Sequence, residues 1–140
     1  MADGQTRLGA TILRVAVASV FVIHGVTRAV LGTVDDFGAF LGSTGWPAGH
    51  TIAWLITVVE IVGGVGLALG FAVRPLALWF GLQIAAGIIM VHAREGWFVV
   101  GAGRNGAEYS VLLLAGLLVV ALTDSISHKP RTSSTARPPI

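Results

Sequence analysis

An all-α, polytopic integral membrane protein, built as a bundle of four transmembrane helices with both termini cytoplasmic, is the fold class this sequence predicts. Composition is the first reason: apolar residues make up 54% of the 140-residue chain and charged residues 11%, which would leave a soluble fold almost no polar surface. The second is patterning. Four apolar segments, at about 8–32, 51–72, 74–92 and 106–123, each come near the ~20 residues that a spanning helix needs.

The first segment follows Arg7 as a secretory leader would, but Arg14 interrupts it and no small-residue cleavage site follows His24, so it reads as a permanent helix. Residues 33–50 then place Asp35, Asp36, Phe37, Phe40, Trp46 and Pro47 in a connection suited to the interface, as a loop or a short amphipathic helix. An aromatic-anchored link accounts for this pattern more simply than a functional lid. The second and third segments meet at the tight turn FAVRPL, where Pro75 suits a new helix start, so they form an antiparallel hairpin. Residues 1–124 thus make one membrane domain. Residues 125–140 are rich in Ser, Thr and Pro and lack any hydrophobic period, so a disordered cytoplasmic tail is expected.

Orientation follows from the basic residues, which resist translocation. Arg7, Arg74, Lys129, Arg131 and Arg137 fall on one side, and Arg94 and Arg104 on the other, which favours both ends inside. The isoelectric point near 9.9 accompanies a net charge of only +2 and no dense basic stripe, so nucleic acid is not an expected partner. With no cysteine, the chain forms no disulfide and runs no thiol chemistry of its own.

What remains unexplained by a greasy bundle is its ionisable residues, each costing about 2.5–3.5 kcal/mol at a helix centre by insertion scales. At ~100° per residue, Arg14, His24 and Arg28 project at about 0°, 280° and 320°, on one face of the first helix. A rise of ~1.5 Å per residue puts His24 and Glu60 about 12–13 Å below the outer ends of their spans, and Arg28, His92 and Glu108 within about 6 Å of the outer boundary. The arrangement implies an outer-half polar pocket with His24 and Glu60 at its floor and the other three at its mouth. Arg14, on the same face but in the inner half, either reaches up to Glu60 or snorkels down. Structural pairing, of Arg28 with Glu108 or Arg14 with Glu60, is the competing account. Gly63 and Gly64, after Glu60, read mainly as a close-packing surface. No metal site is expected. Haem is not expected either, because His24 lies deeper than His92.

In order along the chain stand His24-Gly25 with Arg28, Gly45 and Pro47, Glu60 with Gly63-Gly64, Gly70 with Arg74, His92 with Gly96 and Phe98, and Gly106 with Glu108-Tyr109. With these motifs the sequence resembles the DoxX family of small four-helix bacterial membrane proteins, over about residues 13–122. Arg28 stands where that pattern carries lysine, which keeps the charge but changes it to a planar fork of donors. The resemblance implies a multi-pass protein of the bacterial inner membrane and a link to redox metabolism, through relatives similar to a thiosulfate to quinone oxidoreductase subunit. The first functional reading is a redox-associated subunit with no intrinsic cofactor, whose pocket takes a quinone headgroup and whose electrons come from a partner redox protein. There His24 and Arg28 donate hydrogen bonds to the carbonyl oxygens, and Glu60 relays protons. The second is a non-catalytic accessory or scaffold subunit of a larger complex. Small-solute transport by a homo-oligomer is the third.

Overall fold

A computed structural model describes residues 2–127, and among them every regular element is helical. In chain order these are α1 (Ala2–Val30), α2 (Val34–Ser43), α3 (Gly49–Leu69), α4 (Val73–Gly87), a π-helical turn (Ile88–His92), α5 (Ala93–Glu95) and α6 (Glu108–Ser127). Three stretches are long and apolar enough to cross a membrane: Gly4–Val30, Gly49–Leu69 and Val73–Glu95. The apolar part of α6, Glu108–Thr123, is shorter. The chain is therefore a multi-pass membrane protein in contact with lipid along these helices.

The elements depart from the expected bounds at their ends. α1 begins near the N-terminus rather than at residue 8, and α6 runs on to Ser127, past the expected end at 123. Residues 128–140, most of the expected tail, lie outside the described residues. The 33–50 connection contains a true helix, α2, which lies on α3. Its Gly38 lies against the first turn of α3, where an added Cβ would come within 2.7 Å of the His50 Cα.

The α3–α4 turn is dictated by local chemistry. Gly70 takes a left-handed conformation (φ 83°), and the Phe71 N–H returns to the Gly66 carbonyl at 2.8 Å, which satisfies a carbonyl orphaned at the helix end. Pro75 then falls in the first turn of α4, where its missing N–H leaves no intrahelical bond unmade.

α1 packs along α3, and α4 along α6, with α1 also touching α6. Toward the α3–α4 turn the helices close on an apolar core that includes Ala18, Phe21, Leu67, Ala77, Phe80, Leu117 and Val120. There Phe21 and Phe80 stack with ring centroids 4.1 Å apart. Gly63 and Gly64 serve this packing. Gly64 faces α1, where an added Cβ would lie 2.7 Å from Val22 Cγ2, and Gly63 faces Leu76 and Phe80 of α4. Lipid tails are as apolar as these side chains, so it is close contact, not the hydrophobic effect, that holds the helices together. Toward α2 the core thins to Val34, Leu41 and Ala53, and the helices stand apart.

Candidate functional site

The opening begins at a close approach. Gly25 faces α3, and a Cβ there would lie 2.8 Å from Ile61 Cγ1 and 3.0 Å from both Glu60 Cβ and the Thr57 carbonyl. With no side chain at 25, α1 comes near enough for Arg28, one turn on, to reach across to α3. Its Nη1 donates to Glu60 Oε2 at 2.8 Å and to Thr57 Oγ1 at 3.1 Å. Thr57 can accept that bond because its own hydroxyl proton goes to the Ala53 carbonyl, at 2.8 Å. From α4, Gln83 Nε2 donates to Glu60 Oε1. Both oxygens of Glu60 are thus engaged, and the residue is only 2% exposed. From α2, the Phe37 ring lies under the guanidinium, with its centroid 4.5 Å from Cζ, so the cation rests on an aromatic face and not in bare hydrocarbon.

A cavity of about 530 Å³ opens beside this group, within the range of small-molecule sites. Its walls are mainly aromatic and aliphatic, with Phe40, Trp46, Trp79 and Met90 prominent, and Arg28, Glu60 and Gln83 supply polarity. His24 and His92 line it as well. Each histidine places Nδ1 against a backbone carbonyl, His24 on Val20 at 3.2 Å and His92 on Asn105 at 2.8 Å. A carbonyl only accepts, so Nδ1 carries the proton and the neutral ring keeps Nε2 as an acceptor. Gln83 Oε1 is a further acceptor, buried and without a hydrogen-bond partner among the described residues.

Of the residues singled out in the sequence, His24, Arg28, Glu60 and His92 meet at this cavity, and Arg28 pairs with Glu60 rather than with Glu108. Glu108 is tied instead to the loop before α6, where its Oε1 accepts the Val99 N–H at 3.1 Å. Tyr109 is 61% exposed and does not line the cavity. Arg14 lies at the other end of the bundle, against Gly70. Three participants lie outside the sequence reading. Gln83 is an amide inside the apolar run WFGLQIAAG, Thr57 stands one turn before Glu60, and the π-helical turn carries Met90, Val91 and His92 into the wall. The first two were findable, Thr57 as a hydroxyl one turn from a charge at membrane depth and Gln83 as an amide inside an apolar run, where it needs partners of its own. The π turn left no readable signal.

Residues 9–93, which hold both the Arg28–Glu60 pair and all but the last part of the cavity wall, match the DoxX family model. The chain belongs to the DoxX family. Among curated proteins, this DoxX chain is 31% identical over 120 residues to a protein of Bacillus subtilis (strain 168) named "Putative oxidoreductase CatD", a match covering 84% of this chain and 81% of CatD. No solved structure matches this DoxX protein.

Proposed function

We propose that this protein is a redox-associated subunit of the bacterial inner membrane whose α2-side cavity binds a quinone or quinol headgroup. The observation that carries the reading is the pairing of a largely apolar, aromatic-walled cavity with one polar wall that holds donors and acceptors together. Two N–H groups of Arg28 are taken by Glu60 and Thr57, and its remaining donors suit a quinone carbonyl. The histidines are better matched to the reduced form: His24 Nε2, His92 Nε2 and Gln83 Oε1 are acceptors, which suit a quinol hydroxyl. This changes the role expected for His24 from donor to acceptor. Oxidation of a quinol releases two protons and two electrons. The imidazoles take protons, and the electrons pass to a redox partner protein, since the chain holds no thiol. The relationship to CatD is consistent with oxidoreductase chemistry in this family.

Photoaffinity labelling of the purified protein with an azidoquinone tests the reading. Labelling that competes with added quinol and falls about tenfold or more in Arg28→Ala and His24→Ala is the expected result. Labelling that both variants leave unchanged refutes it.

A scaffold role has its own support, because Arg28, Glu60 and Gln83 join α1, α3 and α4 in one network. Glu60→Gln separates the two. As structural glue, the network predicts reduced abundance and assembly in that variant. Ligand binding predicts altered labelling of the protein that does fold, beyond any loss of abundance.

A further inference from the structure

At the end of the bundle opposite the quinone cavity lies a second, smaller one of about 210 Å³, and its polar lining is cationic. Arg7 and Arg14 stand seven residues apart on α1, two turns along and on the same face, with Thr11 between them. Val73 closes one side from the start of α4, and Val120 and Thr123 close the other from α6. Among the described residues neither guanidinium makes an ion pair. Arg14 Nε is buried and has no hydrogen-bond partner among them. The Arg14 fork lies against the end of α3, where a Cβ added at Gly70 would be 3.3 Å from both Nη1 and Nη2. The carbonyl end of a helix favours a cation, but it does not satisfy the buried Nε–H, and an unmade bond of that kind costs about 1–3 kcal/mol or more for a charged group.

Two guanidiniums, the Thr11 hydroxyl and an orphaned donor around a cavity too small for a quinone ring system with its tail call for a compact anion with several acceptor oxygens; Thr123 gives its own proton to the Val119 and Val120 carbonyls. We infer that this cavity is a phosphate site, in which the Arg14 fork and Nε hold one face of the phosphate and Arg7 and Thr11 hold the other. An arginine fork fits such an anion in a way that a lysine would not. At the end of a membrane helix bundle the phosphate is most readily supplied by an anionic phospholipid headgroup, and free inorganic phosphate is the other source. The site is separate from the quinone pocket, and its test does not depend on quinone binding.

Native mass spectrometry of the full chain in mild detergent, with phosphatidylglycerol or phosphatidylcholine added, reads lipid retention directly. One phosphatidylglycerol is expected to stay bound at activation energies that strip phosphatidylcholine, and Arg7→Gln and Arg14→Gln are each expected to weaken retention roughly tenfold. Arg7 is exposed, so its variant keeps the result interpretable if Arg14→Gln folds poorly. A parallel thermal-unfolding titration with inorganic phosphate separates the sources: Arg14-dependent protection by phosphate alone assigns the site to the free ion. Arg74→Gln, at the same end but outside the cavity, should retain lipid as the parent does. Retention and phosphate protection both unaffected by Arg7→Gln and Arg14→Gln would overturn the proposal.

Discussion

Where Phe21 stacks on Phe80 the four long helices close on one another, whereas toward Trp46 and Met90 the same helices, joined by α2, stand apart around a cavity. The closed half is held by contact between small and apolar residues, with Gly64 against Val22 and Ala18. The open half keeps contact where α1 meets α3 at Gly25 and where α2 lies on α3, but around the cavity it relies on Arg28, Glu60, Thr57 and Gln83 to tie α1, α3 and α4 together. A polar network at membrane depth thus permits a hollow that apolar packing alone would collapse. It also makes the open half fragile to the loss of a single partner, while the closed half is sensitive to added volume.

The largest expected effect follows from breaking the network on one side. Glu60→Ala leaves Arg28, partly buried against Phe37, without its counter-charge, and should destabilise the fold by up to about 3–5 kcal/mol, read by unfolding in mixed micelles. The Arg28→Ala/Glu60→Ala double variant should recover part of that loss, since an unpaired charge costs more than an absent pair. A double variant no more stable than Glu60→Ala would show that the pair does not hold the open half together. Next comes added volume in the closed half: Gly64→Ala brings a methyl to 2.7 Å from Val22 Cγ2 and should cost about 1–3 kcal/mol in the same assay. The smallest effect is the same substitution made in the open half. At Gly87, on the cavity wall, an added Cβ meets nothing within 4 Å. Gly87→Ala should therefore be neutral or stabilising by about 0.5–1 kcal/mol, through reduced backbone entropy of the unfolded chain. Equal costs at 64 and 87 would erase the distinction between the halves.

The helices were legible because apolar length is a one-dimensional property, and so was the list of charges that do not belong in hydrocarbon. Their pairing was not. Depth reckoned along a helix axis treats each residue as its Cα, which put Arg28 nearer Glu108. The long arginine side chain covers the turn that separates it from Glu60, and the missing Cβ at Gly25 brings α3 within its reach. Arg14 snorkels the opposite way for the same reason. Gln83 carries no charge and so stands outside any list of ionisable groups, although an amide in lipid needs partners just as strictly.

The π-helical turn at Ile88–His92 divides α4 and its continuation into two angular phases. A π turn takes up one extra residue, so everything after it lags a continuous α-helical wheel by about 100°, and Gln83 and His92 line one cavity although such a wheel would set them on opposite faces. The turn behaves as a phase adjuster between the two sides of the site. Straightening it into an α turn of unchanged length would rotate His92 relative to Gln83 by about 100° while leaving the composition of the wall untouched. Deleting one residue within it would instead keep the two in phase, so aim and composition can be perturbed separately.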